Sequence, residues 1–166
     1  MIFVTVGTHE QPFDRLIREV DRLAGDATVG HDFFCQIGYG TYEPAVPHTA
    51  MVPYREMQER IAGAALVITH GGPGSVMPVL AARRPLVLVP RQHGFGEHVD
   101  DHQVGFCRRI GAERALPVVE DIATLGAAIV SALERGASTQ TGGGAAPEQA
   151  VADLGRRIAA LTSRRR

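Results

Sequence analysis

The chain contains no lysine, and its 17 Lys-or-Arg positions are all arginine. A phosphate-binding loop of the Walker type needs a lysine, and so does Schiff-base catalysis. The absence of lysine therefore excludes both kinds of chemistry. Cysteine is scarce as well, because only Cys35 and Cys107 are present and they form no C-x-x-C pair. We expect both to be buried free thiols in a protein from a reducing compartment.

Long apolar runs and strong net charge are also missing. The opening residues, MIFVTVGTHE, lack the basic stretch of a secretion signal, and their apolar run is too short to span a membrane. The cytoplasm is therefore the expected location. A formal net charge of −1 gives no reason to expect a nucleic acid partner. With 166 residues, of which 45% are hydrophobic, the chain can form one domain with a substantial core.

Short apolar runs alternate with segments of helical spacing along the first 135 residues. The apolar runs predict strands at residues 2–6, 33–37, 49–52, 66–69, 86–89 and 116–119. The helical spacing predicts helices at residues 13–23, 55–62, 75–82, 101–110 and 121–135. Strands that are apolar throughout are typical of a parallel sheet with helices on both faces. We therefore predict an α/β fold, a single Rossmann-like domain over residues 1–135 that binds its ligand beyond the carboxyl ends of the strands.

The composition changes after residue 135. Residues 136–147, GASTQTGGGAAP, have the composition of a flexible linker. Residues 148–166 predict an amphipathic C-terminal helix with a basic end, RRR. Its apolar stripe consists of Val151, Leu154, Ile158 and Leu161. This stripe must be covered by the same domain or by another chain.

The predicted strand at residues 66–69 leads into the glycine-rich loop HGGPGS. Glycine lets backbone N–H groups approach a ligand closely, and a helix N-terminus attracts an anion such as a phosphate or diphosphate. His70 and Ser75 add side-chain donors to such a site. The alternative interpretation is an ordinary glycine-rich turn in which Ser75 only caps the following helix.

The predicted strand at residues 86–89 leads into the second loop, PRQHGFGEHVDDHQ, which is dense in hydrogen-bonding side chains. This density favours a polyhydroxylated ligand over a merely solvated loop. His98 and His102 stand four residues apart, which raises the alternative of a zinc site. However, the zincin motif needs Glu directly after its first His, where this chain has Val99, and no Cys is close in sequence. We therefore expect no metal here.

The sequence contains three motifs, which are, in chain order, FVTVGT, ITHGGPGS and VPRQHGFGEHVDDHQ. In that order they resemble the donor-binding half of GT-B glycosyltransferases of the family 28 C-terminal-domain type. The resemblance is strongest to the small subunits of two-chain enzymes. These include the eukaryotic transferase that adds the second N-acetylglucosamine to dolichol diphosphate, and bacterial pairs in capsule and exopolysaccharide synthesis. It covers residues 1–135.

The resemblance implies a UDP-sugar as the donor substrate, with no further cofactor. The implied diphosphate-binding residues are His70, Gly71, Gly72, Gly74 and Ser75. The implied sugar-binding residues are Glu97, His98, Asp101, His102 and Gln103. The implied uracil contacts are Val52, Pro53 and Tyr54. Gly7 and Thr8 would line the cleft that faces the acceptor.

One position departs from the wider family. Many GT-B donor domains place a ribose-binding Glu three residues after the motif serine, and this chain has Pro78 there. The resemblance therefore leaves the identity of the nucleotide open.

The resemblance also implies that the catalytic cleft is shared, because GT-B enzymes react between two Rossmann-like domains and this chain supplies one. The implied partner is a membrane-associated acceptor-binding subunit, which would hold the chain at the inner membrane face. Within the chain, the candidates for the base that transfer requires are His9, Glu10 and His93. The implied reaction is inverting, metal-independent transfer of a hexose to a polyprenyl-linked or polysaccharide acceptor. The alternatives are a non-catalytic accessory subunit and a homodimer that forms its own cleft.

Overall fold

Five short strands form one sheet in the computed structural model, which describes residues 1–139. They are β1 (Ile2–Thr5), β2 (Phe33–Gln36), β3 (His48–Thr49), β4 (Leu66–Thr69) and β5 (Leu86–Leu88). Their order across the sheet is β3-β2-β1-β4-β5, and every pairing is parallel. This is the strand order of a Rossmann sheet, so the predicted α/β fold is confirmed.

Five α-helices connect and cover the strands in the described part of the chain. They are α1 (Asp14–Ala24), α2 (Tyr54–Gly63), α3 (Pro73–Ala81), α4 (His102–Arg114) and α5 (Leu125–Thr139). Two short 3-10 turns lie at His93–Phe95 and Ile122–Thr124. Within residues 1–139, no helix has both the length and the apolar character that crossing a membrane requires.

The core consists of two apolar layers, one on each face of the sheet. Successive strand residues point to opposite faces, so Ile2 and Val4 pack in one layer and Phe3 in the other. Helices α1 and α5 cover the first layer, and α2, α3 and α4 cover the second. Because both faces are covered, the strands are apolar at nearly every position.

The predicted strand at residues 116–119 is wrong. Within the described residues, this segment contributes an isolated bridge between Leu88 and Val118 rather than a strand. It forms two hydrogen bonds with β5, from the Leu88 N–H to the Pro117 carbonyl and from the Val119 N–H to the Leu88 carbonyl. Pro117 has no N–H to donate, and this limits the pairing. The other elements predicted within residues 1–135 are present, with ends that differ by up to four residues.

Helix α5 begins and ends later than predicted. The 3-10 turn at Ile122–Thr124 precedes it, and Asp121 caps that turn by accepting a hydrogen bond from the Ala123 N–H at 3.1 Å. The helix then continues to Thr139, so the first four residues of the expected linker are helical. Gly136 packs so closely on Pro85 that a Cβ there would collide with the proline ring. The rest of the expected linker and the predicted helix at 148–166 lie outside the described residues.

Candidate functional site

The strand order of the sheet reverses between β1 and β4. In open parallel sheets, ligands bind beyond the carboxyl ends of the strands at such a point. Thr5, the last residue of β1, is paired with Thr69, the last residue of β4. The chain leaves β1 through Val6 and Gly7 and leaves β4 through His70, so the implied cleft residue Gly7 and the glycine-rich loop lie side by side at this edge.

The imidazole ring of His70 lies between two glycine backbones. A Cβ at Gly7 or at Gly72 would collide with the ring, and Gly7 also has a φ of +75°, which L side chains rarely adopt. Glycine at both positions therefore lets the backbone approach the ring on two sides. The structure thus brings the predicted cleft residue Gly7 against the ring of His70, a predicted diphosphate residue, and Gly72 packs against the same ring.

His70 is buried, with 8% of its surface exposed. Burial lowers the pKa of His70 to about 4, and the positive charge of Arg91 acts in the same direction. A hydrogen bond with the Thr5 backbone opposes the shift. At neutral pH the ring is therefore uncharged, and it can act on a ligand as a hydrogen-bonding group rather than as a cation.

The glycine-rich loop ends at the N-terminus of α3. The N-cap of this helix is Gly72 and its first residue is Pro73, so Ser75 lies in the first turn and the capping interpretation of Ser75 is wrong. Gly74 is exposed, and a Cβ added there would meet nothing within 4 Å. In the first turn of α3, the Ser75 N–H donates to the Gly72 carbonyl at 3.0 Å. The open space at Gly74, over the positive end of the helix dipole, suits an anion.

Gln103 connects the glycine-rich loop to the second loop. Its side chain is buried, and Oε1 accepts hydrogen bonds from the backbone N–H groups of Gly71, at 3.1 Å, and Arg91, at 3.2 Å. Gly71 is also packed tightly, since a Cβ there would lie 2.6 Å from Cys107 Sγ. The Gly71 N–H is thus used inside the protein, and Gln103 fixes the position of the glycine-rich loop relative to the second loop.

Arg91 is the largest fully buried side chain, and nothing in the sequence pattern singled it out. Its guanidinium group donates to the carbonyl oxygens of Val6 at 2.9 Å, Gln11 at 2.6 Å and Glu97 at 2.9 Å. Burial lowers the pKa of Arg91 to about 10, which leaves it charged at neutral pH. Arg91 therefore ties the loop after β1 to the loop after β5 and places a positive charge near His70. The only sequence signal was its position, two residues after the predicted strand ends.

Glu97, a predicted sugar-binding residue, is engaged within the protein. Its two carboxylate oxygens accept hydrogen bonds from Arg15 at 2.7 and 3.0 Å, and the Gln92 N–H donates to the same carboxylate at 2.9 Å. Both side chains of the Arg15–Glu97 pair are largely buried. Glu97 therefore attaches the second loop to α1, which leaves little of its carboxylate for a ligand.

Three histidines lie together at this edge. The ring centroids of His9 and His98 are 4.4 Å apart, and those of His98 and His102 are 4.5 Å apart and nearly perpendicular. Burial and the two neighbouring histidines lower the pKa of His98. Asp100 Oδ1 contacts His102 Nδ1 and lies 3.6 Å from His98 Nδ1. The histidine pair that the sequence contains is thus joined by Asp100, which the motifs did not single out.

The candidate bases differ in their hydrogen bonds. His9 Nδ1 accepts from the Gln11 N–H at 3.2 Å, so the proton of a neutral His9 ring is on Nε2. His93 Nδ1 lies 3.1 Å from the His98 carbonyl, which can only accept, so Nδ1 carries the proton and Nε2 keeps its lone pair. Glu10 is exposed. His93 is therefore the candidate whose tautomer is suited to accept a proton.

The remaining predicted residues lie on the surface of the same edge. Thr8, Asp101 and His102 are exposed, and Asp101 accepts a hydrogen bond from the His93 N–H at 2.8 Å. Tyr54 begins α2 and is 80% exposed, with Pro53 as the N-cap. Pro53 and Tyr54 follow β3, at one end of the sheet, whereas the second loop follows β5, at the other end. The predicted uracil contacts are therefore separated from the second loop by the width of the sheet.

Comparison with known proteins identifies the family of this chain. Residues 1–156 match the model of the glycosyltransferase family 28 C-terminal domain. The chain belongs to this family. A human relative, UDP-N-acetylglucosamine transferase subunit ALG13, is 34% identical over 122 residues, which cover 68% of this chain and 10% of that protein. The family 28 domain thus corresponds to a small part of that larger protein.

Two solved structures share the fold of the family 28 domain. The glycosyltransferase of kitacinnamycin has a TM-score of 0.56 and 19% identity, covering 93% of this chain and 42% of the other. CalG4, the calicheamicin glycosyltransferase, has a TM-score of 0.53 and 18% identity, covering 96% of this chain and 43% of the other. The chain therefore has the fold of the C-terminal domain of GT-B glycosyltransferases, and it spans less than half of each of these proteins.

Proposed function

We propose that this chain is the donor-binding subunit of a two-chain glycosyltransferase that moves a hexose from a UDP-sugar to a polyprenyl-linked or polysaccharide acceptor. The observation that carries the proposal is the His70 ring held between Gly7 and Gly72, where the strand order reverses and α3 begins. This arrangement supports an anion site at the position where Rossmann-like domains bind nucleotides.

The diphosphate is bound by the glycine-rich loop. Because the Gly71 N–H is used by Gln103, the donors for phosphate oxygens are the N–H groups at Gly72 and Gly74, with the Ser75 hydroxyl and the neutral His70 ring. Gly71 contributes by allowing the loop to pack on Cys107. A diphosphate held in this way needs no bridging metal, which is the basis for proposing metal-independent transfer.

The sugar lies against the second loop. Its hydroxyl groups contact His98, Asp101 and His102, while Glu97 and Gln103 keep the loop in place through Arg15 and the Arg91 backbone. Val52, Pro53 and Tyr54 bind the uracil from the outer part of the edge. Transfer inverts the configuration at the anomeric carbon. The base that takes the proton from the acceptor hydroxyl comes from this chain, as His93 Nε2, or from the second domain.

The second domain comes from a partner chain. The chain spans 42% and 43% of the two similar glycosyltransferase structures, and the human relative is named as a transferase subunit. We therefore propose a heterodimer with a membrane-associated, acceptor-binding glycosyltransferase. The partner holds this chain at the cytoplasmic face of the inner membrane, in exopolysaccharide biosynthesis.

Pro78 favours a second candidate, a non-catalytic accessory subunit that stabilises such a partner without using a donor. Pro78 lies within α3, where a carboxylate would be needed to bind ribose. A homodimer that forms its own cleft is a further alternative.

Titration calorimetry of the purified chain with UDP and with UDP-hexoses tests donor binding. Saturable binding of UDP supports the donor-binding subunit, whereas no heat at millimolar UDP favours the accessory subunit.

Transfer to a lipid-linked acceptor is then measured with and without the partner. Turnover that requires the partner supports the heterodimer. Sustained turnover by the chain alone, together with a dimeric molar mass in solution, would contradict the heterodimer and support the homodimer.

A further inference from the structure

In the second loop, Asp100 joins His98 and His102, two residues that the proposed function also assigns to the sugar. His98 Nδ1, Asp100 Oδ1 and His102 Nδ1 belong to side chains whose ligand atoms all lie within 4.8 Å of one another. The sequence predicts no metal in this loop, but from the arrangement of these side chains we propose that His98, Asp100 and His102 bind a divalent transition-metal ion of the zinc class. Its ligands all come from the second loop, whereas the proposed diphosphate site is at the N-terminus of α3.

The first argument is the state of His98. This residue is only 7% exposed, yet its Nδ1 atom has no hydrogen-bond partner. A buried polar atom without a partner is costly and rare in folded proteins. The atom lies 3.6 Å from Asp100 Oδ1, which is too long for a hydrogen bond but suits two ligands of one ion. A metal ion between them would satisfy both atoms.

The second argument is geometric. Zinc lies about 2.0–2.2 Å from imidazole nitrogen and carboxylate oxygen, so two ligand atoms in tetrahedral geometry are about 3.3 Å apart. The rings of His98 and His102 are nearly perpendicular, with centroids 4.5 Å apart, so both Nδ1 atoms face Asp100 without stacking of the rings. Asp100 and His102 are exposed, so their side chains can move the short distance that coordination requires.

The third argument concerns the type of ion. Two imidazoles and one carboxylate form a nitrogen-rich set that zinc, cobalt and nickel prefer, whereas calcium and magnesium prefer oxygen alone. His9 is close but does not complete the set through Nδ1, because that atom accepts from the Gln11 N–H. Three protein ligands leave a fourth position for water or a ligand oxygen.

Among the residues that the structure describes, no second group of three or more His, Cys, Asp and Glu side chains is arranged to hold an ion. Both cysteines are buried, and burial raises the pKa of Cys35 and of Cys107 to about 12, so neither supplies a thiolate readily. Of the seven histidines, His31 lies in a bend before β2 and His48 lies in β3, and both are exposed. His31 therefore provides a matched control for His102.

The test uses the full chain without a histidine tag. Zn²⁺ is titrated by calorimetry, and Co²⁺ is followed by its visible absorption, which reports on the ligands. We expect one equivalent of either ion to bind. Asp100→Asn and His102→Ala should each weaken binding by at least about tenfold, the smallest loss expected even for a supporting residue of a metal site. Both positions are exposed, so the fold should be retained, and circular dichroism checks this.

His31→Ala should bind both ions as the unsubstituted chain does. The proposal is overturned if the unsubstituted chain binds neither ion. It is equally overturned if Asp100→Asn and His102→Ala, correctly folded, bind as tightly as the unsubstituted chain, or if His31→Ala loses binding to the same extent. No nucleotide is present in these titrations, so their outcome is independent of the proposed transferase function.

Discussion

The Oε1 atom of Gln103 accepts a hydrogen bond from the backbone N–H of Gly71 at 3.1 Å. The same atom also accepts from the Arg91 N–H, so one buried side-chain oxygen joins the loops that follow β4 and β5. These are the two loops that the proposed function assigns to the diphosphate and the sugar. Their relative position therefore depends on a residue that does not need to touch the ligand.

Gln103→Leu should lower the free energy of unfolding. The substitution keeps the approximate size of the side chain but removes the acceptor, and each buried N–H left unpaired costs about 1–3 kcal/mol. Urea denaturation measures the loss. The same substitution at Gln58, in α2 and away from both loops, is the control and should have a clearly smaller effect. Equal losses at the two positions would contradict the connecting role of Gln103.

Glu97→Gln should destabilise the protein much more than Glu59→Gln. Both residues pair with an arginine, but the Arg15–Glu97 pair is largely buried whereas the Arg55–Glu59 pair is exposed on α2. Breaking a buried pair costs about 3–5 kcal/mol, and exposed pairs contribute about 0–1 kcal/mol. Chemical denaturation of the two variants compares them directly. A Glu97→Gln variant as stable as Glu59→Gln would argue that Glu97 is free to serve a ligand.

Gly74→Ala should weaken UDP binding without weakening the fold. A Cβ at Gly74 meets no protein atom within 4 Å, and alanine is favoured over glycine in a helix by about 1 kcal/mol. The methyl group would instead occupy the space proposed for the diphosphate. Gly63→Ala, at the far end of α2, also has free space and is the control. Calorimetric titration with UDP should show weaker binding for Gly74→Ala alone. Unchanged affinity would place the diphosphate elsewhere.

Acid should destabilise the folded protein through His70. An unfolded histidine has a pKa of 6.5 and His70 has one of about 4, so between these values the unfolded chain binds a proton that the folded chain does not. The stabilisation is therefore complete above about pH 6.5 and is lost as pH falls towards 4, with a slope of about 1.4 kcal/mol per pH unit. Urea denaturation between pH 7 and 5 measures this slope.

Two further measurements assign the slope to His70. The variant His70→Gln has no titrating ring, so its stability should depend less on pH over the same interval, whatever its absolute stability. An NMR titration of the His70 ring in the unsubstituted chain gives the pKa directly. A ring that titrates near pH 6.5 would contradict the burial argument. The pKa of His98 is also lowered, so some dependence should persist in His70→Gln.

The sheet could be predicted because its strands are buried on both faces. A strand such as Leu66–Thr69 is apolar at nearly every position, and this pattern is visible in the sequence. The segment at 116–119 has a similar pattern and still forms only an isolated bridge, because Pro117 cannot donate to a neighbour. Apolar character indicates burial, whereas strand pairing depends on the hydrogen bonds that a neighbouring segment accepts and donates.

The candidate site was only partly visible in the sequence. The glycine-rich loop could be recognised because Gly71, Gly72 and Gly74 follow a predicted strand within a few residues of sequence. The roles of Arg91, Glu97 and Gln103 could not, because their partners are distant in sequence: Arg91 binds carbonyls of the loop after β1, and Glu97 binds Arg15 on α1. A polar residue in a loop looks the same in a sequence whether it faces solvent or a buried partner.

The sequence by itself determined the α/β architecture, the family and the two loops at one edge of the sheet, since periodicity and glycine placement act over short stretches of chain. Only the tertiary structure decided which polar side chains of those loops are buried within the protein and which are exposed. It placed His70 between two glycines, turned Glu97 towards Arg15 and brought Asp100 to the His98–His102 pair. The physical reason is that burial and charge pairing depend on contacts between residues far apart in the chain.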